Sequence, residues 1–110
     1  MKVMIVDDDP AFVMALREML DRAGHTVEVS WDGSEAVLAV RDEPPDVVIL
    51  DFRMPGFDGE ATARLLRKLA PGIRIIGISA AADIPEDWAD EFVPKHEIVD
   101  RLLPLVEAQD

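Results

Sequence analysis

The segment Val47-Val48-Ile49-Leu50-Asp51-Phe52-Arg53-Met54-Pro55-Gly56-Phe57-Asp58-Gly59 settles what kind of sheet this chain builds. Val47 to Leu50 is an unbroken apolar run, the pattern of a strand whose sheet is covered on both faces. Asp51 ends the run, and Pro55, Gly56 and Gly59 mark the residues after it as a loop. The same unit recurs on either side. Lys2 to Val6 is a short apolar run closed by Asp7-Asp8-Asp9, and Ile73 to Ile78 is another buried strand. Thr26 to Trp31 is rich in β-formers, and Glu91 to Pro94 makes a short last strand.

Helical periodicity fills the gaps. Phe12, Leu16, Met19 and Ala23 recur on one side of a helix over residues 10–23, with Asp9 as its N-cap, Pro10 in the first position and Gly24 as its stop. After an Asp32-Gly33 turn, Ser34 to Asp42 has helical composition around Ala36, Val37 and Val40, and Pro44-Pro45 ends it. Ala61, Leu65, Leu66 and Leu69 line a third helix whose other side carries Arg64, Arg67 and Lys68, and Pro71-Gly72 terminates it. His96 to Val106 carries apolar spacing through Ile98, Val99, Leu102, Leu103 and Val106. Five strands alternating with helices, with no repeat, linker or low-complexity segment, predict a doubly wound α/β domain with a parallel sheet and right-handed crossovers.

The 110 residues suit one domain, 1–110, large enough to bury roughly two-thirds of its unfolded surface. Eleven basic against 23 acidic residues give a net charge of −12, which argues against nucleic acid or an anionic membrane as partner and favours a cationic ligand. The absence of cysteine excludes disulfides and thiolate chemistry. No apolar run approaches the ~20 residues of a membrane span, no signal-peptide pattern opens the chain, and a cytoplasmic location is expected.

In an open parallel sheet, ligands bind beyond the carboxyl ends of the strands. There this sequence places Asp7 and Asp8, Asp51, Ser79 and Lys95. Carboxylates crowded on one rim repel unless a hard cation lies between them, and an oxygen-only ligand set selects Mg²⁺ or a similar ion. A cation beside a free carboxylate can bring in a phosphoryl group, whose remaining oxygens the Lys and Ser would bind, making Asp51 a nucleophile. Asp7 to Asp9 taken alone also reads as a solvated capping run; Asp51 at a matching strand end favours the site. Asp9 is left as a cap, Asp58-Gly59 as loop and helix-start chemistry, and His25 and His96 as structural. Val13 and Met14, partly off the first helix's stripe, read either as packing or as an exposed patch for a kinase.

Val6-Asp7-Asp8 after a strand, Asp51 within the Asp-x-x-Met-Pro-x-x-Asp-Gly loop, then Ser79-Ala80 and Lys95, resemble the response-regulator receiver domain over the whole chain. The resemblance implies a flavodoxin-like sheet of order 2-1-3-4-5, with Asp51 as phosphoacceptor for a histidine kinase or histidine phosphotransfer protein. It implies Mg²⁺ held by Asp7, Asp8, Asp51 and the Arg53 backbone carbonyl. Ser79 and Lys95 would bind the phosphoryl group, Ser79 and Phe92 would act as the switch pair, and Arg53 and Ala81 would border the attacking water's path and tune the phosphate lifetime. The output would pass to another protein.

Two departures stand out. Only eleven residues, Ala80 to Asp90, join the fourth and fifth strands, too few for a multi-turn helix with two loops. The helix expected there is therefore vestigial or replaced by a loop, with Pro85 to Trp88 as a single turn and Trp88 covering the sheet. Receivers usually place a proline after the lysine; here Pro94 precedes Lys95 and His96 follows, as an edge strand allows. Pro104 should kink or shorten the last helix. Two other functions keep a claim: a phosphorylation-independent interaction module of the same fold, and, from Asp7-x-Asp9, a haloacid-dehalogenase-type phosphatase, against which Ala11 and the chain length count.

Overall fold

Short strands that are apolar on both faces must pair with one another and be covered on each side. The computed structural model describes residues 1–108, so the last two residues of the expected 1–110 domain lie outside the described part. In it five parallel strands stand in the order β2-β1-β3-β4-β5. They are β1 (Lys2–Val6), β2 (Thr26–Ser30), β3 (Val47–Asp51), β4 (Arg74–Ser79) and β5 (Glu91–Pro94). The helices are α1 (Pro10–Arg22), α2 (Gly33–Asp42), α3 (Gly59–Leu69) and α4 (Ile98–Glu107), with a 3₁₀ turn over Lys95–Glu97. One core layer joins Val3, Ile5, Ile49, Ile76 and Ile78 to α1 and α4; the other joins Met4, Val6, Val48, Leu50 and Ile75 to α2 and α3. This is the expected doubly wound sheet.

The capping logic holds in detail. Asp9 accepts from the Phe12 N–H, Pro10 begins α1, and Gly24 takes a φ of +90° just beyond the Ala23 cap. Asp32 and Asp58 cap α2 and α3 in the same way. Gly33 belongs to α2 rather than to a preceding turn. A Cβ there would meet Thr62 and the Phe57 ring, so this glycine lets α2 and the β3–α3 loop touch.

The helix faces differ from the periodic reading in three places. α1 buries Val13, Leu16 and Leu20, with Phe12 and Met19 flanking, so Val13 is core and only Met14 of the supposed patch is exposed. α3 buries Thr62, Ala63 and Leu66 while Leu65 and Leu69 are exposed. Thr62 can enter the core because its hydroxyl donates to the Asp58 carbonyl at 2.8 Å, which satisfies it locally. In α4, Val99 is exposed. The helix also runs on through Pro104 to Glu107 instead of ending there. Pro104 lies on the exposed side, where water can reach the carbonyl left without a donor.

Between β4 and β5 the chain forms bends and a turn at Asp87-Trp88 and no helix; the fourth α-helix, α4, follows β5. Trp88 covers the sheet there. It is 4% exposed, and its indole lies so close over Gly77 that a Cβ on that glycine would stand 2.6 Å from the ring. The indole N–H donates to the Pro85 carbonyl, closing the turn. Phe52 and Phe92 flank it with ring centroids at 5.4 and 6.4 Å. Arg67 donates to the Trp88 carbonyl at 2.8 Å, and Asp90 accepts from the Ile75 N–H at 2.7 Å, so the short crossover is fastened to both α3 and β4.

Trp88→Ala should lower unfolding stability by about 3–5 kcal/mol, read as a drop in the urea midpoint, with Trp88→Phe losing less. Gly77→Ala should destabilise as well. An unchanged midpoint in Trp88→Ala would show that the indole does not replace a helix.

Candidate functional site

All strands run the same way, so their carboxyl ends share one rim, and the residues that end them meet there. Asp7 directly follows β1 and is fully buried; Asp8 beside it is exposed. Asp51 is the last residue of β3, 5% exposed, and Ser79 the last of β4, 2% exposed. Lys95 begins the 3₁₀ turn after β5 and extends back over the rim. Its ammonium lies 2.8 Å from Asp7 Oδ2 and 3.7 Å from Asp51 Oδ1. The trans-linked Pro94 before it pairs with Ser79 in register, so the displaced proline does not carry Lys95 away from the site.

Each group is held by its backbone surroundings. Asp7 Oδ1 accepts from the Asp9 N–H at 3.0 Å, and the buried Asp7 Oδ2 has no hydrogen bond but is ion-paired with the Lys95 ammonium at 2.8 Å. The Phe52 N–H bonds to the Ile78 carbonyl at 3.0 Å, continuing the ladder past Asp51. Gly59 closes the β3–α3 loop against this point. Its N–H donates to the Phe52 carbonyl at 2.7 Å, and a Cβ there would stand 2.6 Å from the Asp51 carbonyl oxygen. Ser79 Oγ accepts from the Ala81 N–H at 3.0 Å, leaving its proton free to donate.

Carboxylate oxygens of Asp7, Asp8 and Asp51 lie within 4.8 Å of one another. A set of carboxylate oxygens, one of them buried with no hydrogen bond, fits a hard divalent cation. Without one, burial and the neighbouring Asp7 carboxylate push the Asp51 carboxyl up to about 7, with Lys95 opposing and Asp8 reinforcing the rise.

The rim thus gathers Asp7, Asp8, Asp51, Ser79 and Lys95 as expected. Arg53 is exposed, with its guanidinium 5.9 Å from the centroid of the Phe52 ring, and Ala81 is half-buried beside Ser79. Phe92 is half-buried against Trp88. Asp9 Oδ1 accepts from the Phe12 N–H at 3.3 Å and caps α1, the role expected of it. His25, read only as structural, bridges the Met1 amine and Glu107 at the opposite end of the sheet. Periodicity missed Phe12: it counts as one of a helical stripe, yet its ring faces the Lys95 ammonium at 4.3 Å.

A family model described as the response regulator receiver domain matches residues 3–105. Response regulator MprA of Mycobacterium ulcerans is 33% identical over 113 residues, covering 97% of this chain and 49% of the relative. The chain spans about half the length of the curated relatives it matches. Response regulator TrrA of Thermotoga maritima, solved in complex with Mg²⁺-BeF, is 32% identical with a TM-score of 0.88 and covers 96% of each chain. A structure of the histidine kinase ThkA in complex with TrrA matches at 32% identity and a TM-score of 0.86, covering 96% of this chain and 95% of that one.

The raised Asp51 value fixes a pH dependence. Between the ordinary 3.8 and about 7 the folded protein holds a proton that the unfolded chain releases, so stability falls as pH rises through that window. Asp51→Asn removes the slope. From pH 4 to pH 8 without divalent cation the wild type should lose roughly 4 kcal/mol relative to Asp51→Asn. Mg²⁺ should raise the wild-type urea midpoint and leave that of Asp51→Asn nearly unmoved. Parallel denaturation of the two proteins at several pH values would contradict the assignment.

Proposed function

The chain belongs to the response regulator receiver domain family, and we propose that its switch is Mg²⁺-dependent phosphorylation of Asp51 by a histidine kinase or a histidine phosphotransfer protein. The convergence of three carboxylates, a lysine and a serine hydroxyl on one rim carries this reading. Asp7, Asp8 and Asp51, with the Arg53 backbone carbonyl as a further ligand, would hold Mg²⁺, which offsets the carboxylate repulsion and the charge on a phosphoryl group.

Asp51, at the carboxyl end of the central strand β3, attacks phosphorus as a carboxylate. A P–O bond to Asp51 forms as the P–N bond of the donor phosphohistidine breaks, and the imidazole nitrogen keeps that electron pair. Lys95 pairs with one phosphoryl oxygen and Ser79 donates its free proton to another. Since Ser79 is bonded to the Ala81 N–H, its movement carries the start of the crossover with it. Phe92, which packs on Trp88 at the other end of that crossover, answers as the second switch residue. Arg53 and Ala81 border the path of the water that removes the phosphoryl group and set its lifetime. The signal passes to an output protein in the cytoplasm, with no direct contact to nucleic acid or membrane.

Incubation with Mg²⁺ and acetyl phosphate should add one phosphoryl mass to the wild type, none to Asp51→Asn, and none to either protein in excess chelator. No gain of mass would sink the switch reading in favour of a phosphorylation-independent interaction module, and an equal gain in Asp51→Asn would sink it by placing the phosphoryl group elsewhere.

A further inference from the structure

Lys95 reaches the site on a long flexible stem from a strand-to-helix junction, whereas Asp7 and Asp51 are fixed at the ends of central strands. Such a stem has about 2 kcal/mol of rotamer entropy to lose. Attraction to an acidic cluster does not by itself restrain it to one point, because Coulomb attraction is not directional and both Asp7, at 2.8 Å, and Asp51, at 3.7 Å, draw it. A directional contact is supplied from α1. The Asp9 cap and Pro10 start the helix so that Phe12, in its first turn, has its ring under the Lys95 ammonium, 4.3 Å from the ring centroid. Lys95's side chain is only 15% exposed, a setting in which an aromatic face holds a cation well.

We propose that Phe12 is a positioning residue: its ring face holds the Lys95 ammonium over Asp51. This rests on the phosphorylation of Asp51 proposed above. Asp7 Oδ2, the nearer anchor of Lys95, also belongs to the carboxylate cluster suited to a divalent cation and has no hydrogen bond of its own. A cation drawing on that oxygen weakens the carboxylate's hold on the ammonium. The Phe12 ring carries no charge for the cation to compete for, so Lys95 stays beside Asp51 where the phosphoryl oxygens arrive. Pro94 lies before the lysine and not after it, so the segment following Lys95 has no ring to stiffen it, and the restraint comes across the sheet edge from α1.

Phe12→Leu keeps an apolar side chain and removes the aromatic face. With acetyl phosphate and Mg²⁺ it should phosphorylate roughly 3- to 10-fold more slowly, a size that fits one cation–π contact, while Phe12→Trp keeps most of the rate. In a Lys95→Met background Phe12→Leu should cause no further loss. Independently of phosphorylation, the Lys95 ε-methylene protons should be shifted upfield by the ring current in the wild type, with and without Mg²⁺, and return to ordinary values in Phe12→Leu. Equal rates in the Leu and Trp variants, or the same loss with Met at 95, would overturn the proposal, as would unshifted ε-protons in the wild type. A wild type that takes up no phosphoryl group but shows the ring-current shift would sink the phosphorylation reading and leave the Phe12–Lys95 contact standing.

Discussion

Mutual repulsion among Asp7, Asp8 and Asp51, held with their oxygens within 4.8 Å, is the constraint on which the rest of this structure turns. A parallel sheet brings the strand ends together, so the residues that make the site also oppose folding there. Lys95 answers part of the negative charge from the neighbouring edge strand. The remainder is offset by strands apolar on both faces, where Met4, Ile5, Ile49, Leu50, Ile75 and Ile76 are fully buried. Burial first and the neighbouring Asp7 charge second raise the Asp51 carboxyl, while the buried Asp7 Oδ2 is met by the Lys95 ammonium at 2.8 Å.

The crossover from β4 to β5 shows how little backbone is needed to cover a sheet. A single indole, closed by its own N–H on Pro85 and pressed against Gly77, occupies space that a helix would otherwise fill. Because Phe52 follows Asp51 directly and also packs on Trp88, the crossover is in contact with the site from two sides, through Phe52 and through Ser79–Ala81.

Much of this was legible from residues in order. Strand ends, helix caps at Asp9 and Asp58, a parallel sheet and the short crossover follow from local patterns, and so does the grouping of Asp7, Asp8, Asp51, Ser79 and Lys95, while the order 2-1-3-4-5 comes from the family resemblance. Helix faces were less legible. Ala61, Leu65 and Leu69 outscore Thr62 on any apolar scale, yet Thr62 is the one buried, because its hydroxyl is already bonded to its own helix. Val13 and Val99, each adjoining an apolar stripe, went opposite ways according to what the sheet presented to them.

The sequence by itself determined which residues end each strand and therefore which functional groups share the rim, since a parallel sheet leaves its strand ends no other place to go. Tertiary structure alone decided the distances and angles among them: that Lys95 lies nearer Asp7 than Asp51, that one Asp7 oxygen has no hydrogen bond, and that the Phe12 ring lies against the ammonium. Periodicity is a property of one element at a time, whereas contacts between α1 and the residue after β5, more than eighty positions apart, exist only once both have packed on the same sheet.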